Sequence, residues 1–110
     1  MKLPNGEIAE VPAEKLDGYL LSNRHPVGRF KARFFRSLGY TRENASELAA
    51  VFLDAARSRE AEEVPSQYGR KFRILVELRG STGNAVPIVT IWFLAAEDER
   101  PRFVTAYPLE

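Results

Sequence analysis

The chain has 110 residues, of which 45% are hydrophobic and 28% charged, with no cysteine and one histidine. These values are typical of one globular domain spanning 1–110, and they exclude disulfides and thiolate chemistry. One histidine is also too few for a histidine-based zinc site, so we expect neither a metal nor a cofactor.

The formal net charge is only +1, but the charges are distributed unevenly along the chain. Residues 18–42 contain six basic side chains and no acidic one, whereas residues 43–63 contain six acidic side chains. A basic segment of this kind can attract a polyanion such as RNA. It can equally be a solvated helix face that pairs with the acidic segment, and the sequence pI of about 8.1 is below the values typical of dedicated nucleic-acid binders.

The sequence also indicates a compartment. It has no N-terminal signal-peptide pattern, and no apolar run approaches the roughly 20 residues that span a bilayer. We therefore expect a cytoplasmic protein without a membrane partner.

Three amphipathic helices are predicted in the first 60 residues. The first runs over 12–21, where leucines and Tyr19 recur at helical spacing. The third begins after Thr41, a residue type that caps helices, and carries a regular apolar stripe through Ala56. Both helices are predicted to pack against a sheet.

The second, central helix follows His25 and Pro26. At about 100° per residue its apolar side chains fall on one arc. That arc is predicted to be buried and contains Val27, Phe30, Phe34, Phe35 and Leu38. The solvent side carries Arg29, Arg33 and Arg36. Lys31 lies inside the apolar arc, where its ammonium must reach solvent, pair with a carboxylate such as Glu77 or face a functional cleft.

The hydrophobic period changes from 3.6 to 2 in the second part of the chain, which indicates strands. Alternation over 71–79 predicts the first strand, and a turn is expected at 80–84. The apolar stretch 86–94 predicts a central strand covered on both faces. The segment 102–107 predicts a further strand that Pro108 ends.

Helices followed by an antiparallel meander define an α+β fold in two layers. We expect three N-terminal helices packed on a three- to four-stranded antiparallel sheet. The helical part is assigned to 1–60 and the sheet to 65–108.

Two motifs resemble a small bacterial family of unknown function. The first is His25-Pro26-Val27-Gly28-x-x-Lys31-Ala32-x-Phe34-Phe35, and the second is Val104-Thr105-Ala106-Tyr107-Pro108. That family is remotely similar to the barnase/EndoU/colicin/RelE superfamily of ribonuclease toxins. The resemblance implies N-terminal helices before a four-stranded antiparallel sheet, and a toxin-type, metal-independent endoribonuclease whose partner is a neutralising immunity or antitoxin protein.

The resemblance further implies that the catalytic side chains are His25, Lys31, Thr105 and Tyr107. RNA cleavage needs a base for the ribose 2′-hydroxyl, an acid for the leaving oxygen and stabilisation of the phosphorane. His25 suits the acid or base, Lys31 suits the phosphorane, and the two hydroxyls lie two residues apart on one strand face. The structural alternative is that His25 caps a helix and that Thr105 and Tyr107 are ordinary strand formers.

Other side chains are predicted to bind the RNA substrate, namely Arg24, Arg29, Arg33, Arg73 and Trp92. Arg73 would contact a phosphate if the polar face of the sheet forms the cleft. Trp92 can stack on a base, although a tryptophan on a central strand can equally belong to the core.

A function of another class stays open beside the enzyme: a non-catalytic interaction module whose basic central helix binds an acidic protein or nucleic acid. Catalysis requires His25, Lys31, Thr105 and Tyr107 to converge in one cleft, whereas binding requires only a continuous arginine surface. A homodimer is compatible with either function.

Overall fold

A computed structural model describes residues 1–80 and 83–109. Helix α1 (Ala13–Lys15) continues directly into a π-helical turn (Leu16–Leu20), and these two pieces form the first predicted helix. The other two helices are α2 (Gly28–Ser37) and α3 (Ala45–Ser58). The strands are β1 (Ala61–Val64), β2 (Gly69–Arg79), β3 (Ala85–Ala95) and β4 (Arg102–Pro108). No helix among the described residues is long and apolar enough to cross a membrane.

The four strands form one antiparallel sheet in the order β1-β2-β3-β4. The predicted α+β fold is confirmed, and β3 lies between β2 and β4 as expected. Strand β1 lies before the predicted start of the sheet at residue 65, so that boundary is corrected to Ala61. The prediction missed β1 because it has only four residues and two consecutive glutamates, which gives no alternating pattern. Within the predicted 80–84 turn, Ser81 and Thr82 lie outside the described residues.

The helices pack on one face of the sheet. On β2 this face carries a strictly alternating set of buried side chains: Phe72, Ile74, Val76 and Leu78. Trp92 of β3 pairs with Phe72 and has no exposed surface. The Phe103 ring lies 5.6 Å from Trp92 and stacks at 5.0 Å on Phe52 of α3. Trp92 is therefore a core residue, and the prediction that it stacks on a substrate base is wrong because no ligand at the surface can reach it.

Helix α2 is rotated relative to the prediction. Its buried residues are Gly28, Ala32 and Phe35, whereas Val27 is 55% and Phe30 59% exposed. The predicted burial of Val27 and Phe30 is therefore wrong. The cause is a close approach to the π-helical turn: a Cβ atom at residue 28 would overlap the carbonyl oxygen of Tyr19. Only a small residue can come so near, so Gly28 faces the turn and Val27 and Phe30 point outward.

Strand β4 contains a β-bulge. Phe103 lies opposite Trp92, and Thr105 lies opposite Ile91. Trp92 and Ile91 are adjacent in β3, whereas Val104 separates their two partners, so Val104 is an extra residue in β4. Phe103 and Ala106 are buried on the helix face. Thr105 and Tyr107, which pair with Ile91 and Val89, lie on the second face of the sheet.

Candidate functional site

Lys31 of α2 and Thr105 of β4 meet at the edge of the sheet. The Lys31 Nζ atom donates a hydrogen bond to the Thr105 Oγ1 atom over 2.7 Å. The Tyr19 hydroxyl is hydrogen-bonded to the same Oγ1 atom at 3.1 Å. Two residues that lie 74 positions apart in sequence are thus joined by a side-chain contact, and a third, from the π-helical turn, completes the cluster.

The recorded contacts of the Lys31 ammonium among the described residues are with a hydroxyl group and two aromatic rings. Its Nζ atom lies 5.4 Å from the centre of the Tyr19 ring and 5.6 Å from that of Tyr107, distances at which a cation is attracted to an aromatic face. No carboxylate in the described part of the chain pairs with it. Glu77, the predicted structural partner, lies exposed on β2 opposite Pro87, so that prediction is wrong.

Tyr19 was not predicted as a site residue. It lies in the π-helical turn, where the Leu21 amide donates to the Leu16 carbonyl over 2.8 Å and so closes a ring one residue wider than in an α-helix. In the pattern of apolar residues, Tyr19 is one member of a predicted buried stripe. That pattern does not distinguish a π-helical turn from an α-helical one. The available signal was Gly18, a residue that weakens a helix interior and here lies within the turn.

Burial opposes ionisation of the Tyr19 hydroxyl, but the nearby Lys31 ammonium, the hydrogen bond with Thr105 and the charge of Lys15 outweigh it. The net effect is to lower the pKa of Tyr19 from its ordinary value of about 10. A phenol with a lowered pKa beside a hydroxyl and an ammonium is suited to proton transfer.

His25 has a capping role in this structure. Its Nδ1 atom accepts hydrogen bonds from the backbone amides of Val27 and Gly28, both at 3.0 Å, as the side chain of an N-cap residue does. In the neutral ring the proton is then on Nε2, because an acceptor nitrogen carries none. The ring packs edge-on against Tyr19 with 4.9 Å between ring centres, so His25 orients both α2 and Tyr19.

An open cavity of about 440 Å³ joins these groups, and its lining includes Tyr19, His25 and Thr105. A second open cavity, of about 380 Å³, lies on the second face of the sheet and is lined in part by Arg73 and Tyr107. Arg73 and Thr105 flank Ile91 from opposite sides in one row across the sheet. His25 and Thr105 thus line the first cavity, Tyr107 and Arg73 line the second, and Lys31 lines neither. Lys31 connects the two groups through its contacts with Thr105 and with the Tyr107 ring.

The other predicted substrate-binding residues lie elsewhere. Arg24, Arg29 and Arg33 are exposed, and none of them lines either cavity. The Arg29 guanidinium instead lies 4.9 Å from the centre of the Phe30 ring. Arg36, on the same exposed side of α2, donates a hydrogen bond to Asn23 over 2.8 Å. Within residues 1–80 and 83–109, no three side chains of the metal-binding types His, Cys, Asp and Glu form a group that could hold a metal ion.

The fold and this cluster define the class: an α+β domain with a cationic, hydroxyl-rich site at the edge of an antiparallel sheet. The chain belongs to the family described as Domain of unknown function (DUF6883), which matches residues 2–110. Among solved structures, it is similar to one chain of a contact-dependent growth inhibition toxin–immunity protein complex from Klebsiella pneumoniae 342. The TM-score is 0.69 and the identity 23%, over 90% of this chain and 98% of that chain, which is a likeness of fold. No curated protein matches the chain.

Proposed function

We propose that this chain is a toxin-type ribonuclease-like domain that cleaves RNA by phosphodiester transesterification at the site around Lys31. The observation that carries the proposal is the half-buried Lys31 ammonium, whose partners are a hydroxyl group and two aromatic rings. A positive charge held in this way and not neutralised by a carboxylate attracts an anionic group. A phosphodiester supplies that anion, and its charge increases in the phosphorane.

The side chains around Lys31 supply the remaining parts of such a reaction. Tyr107 offers a hydroxyl donor on the same face of β4 as Thr105, and a fixed donor of this kind stabilises a developing negative charge. Thr105 holds the Lys31 ammonium in place. Arg73 can hold a neighbouring phosphate, since its one ion pair among the described residues is a 3.6 Å contact with the exposed Glu62. None of these roles requires a metal ion.

The test is an RNA cleavage assay in the presence of a chelator, with wild type, Lys31→Met and the matched control Lys2→Met. Lys2 is an exposed lysine whose Nζ atom contacts only the Ser58 carbonyl among the described residues. We expect wild type and Lys2→Met to cleave RNA and Lys31→Met to be slower by about 10²- to 10³-fold, the range for loss of one group that stabilises a developing charge. Urea unfolding should show Lys31→Met folded. Absence of cleavage by the wild type would overturn the proposal.

A second candidate function is binding without catalysis, to nucleic acid or to an acidic immunity or antitoxin protein. The observation that favours it is the exposed apolar pair Val27 and Phe30 beside Arg29 on α2. Exposed apolar side chains next to cations are common in interaction surfaces. The similarity to a chain from a toxin–immunity complex supports a protein partner of this kind.

The two functions respond to different variants. If the arginine side of α2 holds RNA, replacing Arg29, Arg33 and Arg36 with glutamine should reduce the slope of log affinity against log salt by roughly 0.7 to 0.9 per lost contact. Lys31→Met should leave most of that slope unchanged. An unchanged slope in the triple variant would show that these arginines form only a solvated surface.

A further inference from the structure

We propose that Tyr19 is the general base of this site and that its phenolate oxygen takes the proton of the RNA 2′-hydroxyl. The inference rests on the proposed RNA cleavage and adds a catalytic residue that neither motif contains. It begins from the position of the Tyr19 hydroxyl, which is bonded to Thr105 at 3.1 Å while Thr105 is bonded to Lys31 at 2.7 Å.

The hydrogen-bond geometry of this cluster can support a phenolate. An ammonium can only donate, so the Lys31 Nζ atom occupies one lone pair of the Thr105 oxygen. The single hydroxyl proton of Thr105 is then free to point to the Tyr19 oxygen, which accepts it most strongly when it is charged. Thr105 thus connects the positive charge of Lys31 to the Tyr19 oxygen.

The groups that face Tyr19 from the surrounding elements include two cations and one acid. Lys15 of α1 has its Nζ atom 5.9 Å from the centre of the Tyr19 ring, and Lys31 of α2 has its Nζ atom at 5.4 Å. His25 packs against the ring edge, and Glu14 is the acidic residue in the lining of the shared cavity. The lowered pKa of Tyr19 agrees with this balance of charge.

His25, the base expected from the sequence, is poorly placed for that role. Its Nδ1 lone pair is used by the amides of Val27 and Gly28, and its Nε2 atom carries the remaining ring proton. A general base needs a free lone pair. The Tyr19 side chain lines the cavity, and its oxygen, whose hydrogen-bond partner among the described residues is Thr105, keeps a further lone pair.

The step balances as follows. The Tyr19 oxygen takes the 2′-hydroxyl proton, the 2′-oxygen forms a bond to phosphorus, and the bond from phosphorus to the 5′-oxygen breaks. The 5′-oxygen takes a proton from water, and Tyr19 later returns its proton to water. The products are a 2′,3′-cyclic phosphate and a 5′-hydroxyl, while Lys31 compensates the charge of the phosphorane.

The first measurement follows ionisation of the Tyr19 hydroxyl directly. In protein labelled with ¹³C at the tyrosine ζ carbons, the four tyrosine signals are titrated by NMR, and the Tyr19 signal is assigned as the one missing from Tyr19→Phe. We expect this signal to titrate below about pH 10 and to move to higher pH in Lys31→Met. A Tyr19 signal that titrates at or above pH 10 in the wild type would overturn the proposal.

The second measurement is the pH profile of RNA cleavage. Tyr19→Phe should slow cleavage by about 10²- to 10⁴-fold and should remove the rise in rate that follows Tyr19 ionisation. The matched control is Tyr68→Phe, which changes a tyrosine that is 84% exposed and should keep both rate and profile. A folded Tyr19→Phe variant with wild-type rate would overturn the role of Tyr19 while leaving the proposed function in place. An inactive wild type would instead overturn the proposed function.

Discussion

At the residue scale, His25 is a side chain whose structural and chemical roles can be separated. It accepts two amide hydrogens at the start of α2 through Nδ1 and packs against Tyr19. We predict that His25→Ala lowers the free energy of unfolding by about 0.5–2 kcal/mol, the usual effect of losing an N-cap side chain. Urea unfolding followed by circular dichroism measures this.

The matched variant for His25 is asparagine. His25→Asn retains a side-chain acceptor at the same position and should recover most of the lost stability. If it also recovers RNA cleavage, His25 is a positioning residue, since asparagine cannot transfer a proton as imidazole does. Equal stability of His25→Ala and wild type would contradict the capping role.

At the element scale, Gly28 fixes how α2 meets the π-helical turn. A Cβ atom there would overlap the Tyr19 carbonyl, whereas a Cβ atom at Gly18 meets nothing nearer than the Glu14 Cβ atom at 3.9 Å. We predict that Gly28→Ala destabilises the protein by about 1–3 kcal/mol or more, as overpacking does, and that Gly18→Ala is close to neutral. Because Lys31 lies one turn after Gly28, Gly28→Ala should also slow RNA cleavage. Thermal unfolding of both variants tests the difference, and an equally stable Gly28→Ala would contradict it.

The elements also show what the sequence could and could not predict. Periodicity located three helices and three of the four strands, because each has a long apolar face. It misplaced the buried face of α2, because a helical wheel places the most apolar side chains in the core. In the structure the buried face instead includes the small residues Gly28 and Ala32, which allow a close approach of the backbones. Lys31 stood out as a cation among apolar residues, and that exception led to the site. Tyr19 did not stand out, because only the π-helical turn brings it to Thr105.

At the scale of the whole molecule, surface carboxylates make the free energy of unfolding depend on pH in the acidic range. Hydrogen bonds from Thr41 to Glu43, from Arg70 to Glu63 and from the Arg100 amide to Asp98 hold the pKa of each carboxyl below its ordinary value. A depressed pKa contributes stability that is complete above the unfolded value, near 4 to 4.5, and is lost as the pH falls through the folded value.

We therefore predict that the urea midpoint is nearly constant from pH 7 to about 5 and falls below about pH 4.5. Glu63→Gln should show a smaller fall over the same interval, because it lacks one of the groups whose protonation is disfavoured in the folded state. A midpoint that rises on acidification would contradict the sign of these pKa shifts.

The bulge at Val104 makes β4 sensitive to where a residue is lost rather than to how many are lost. Phe103 and Ala106 are an odd number of positions apart, yet both face the core, which an unbroken strand would forbid. Both can do so because Val104 is the extra, unpaired residue of the bulge. Deleting Val104 would give a regular strand in which Thr105 and Tyr107 keep their face, whereas deleting Ala106 would bring Tyr107 opposite Thr90 and turn it into the core. Two deletions of equal size would then have opposite consequences: one would keep the hydroxyl pair and the other would dismantle it.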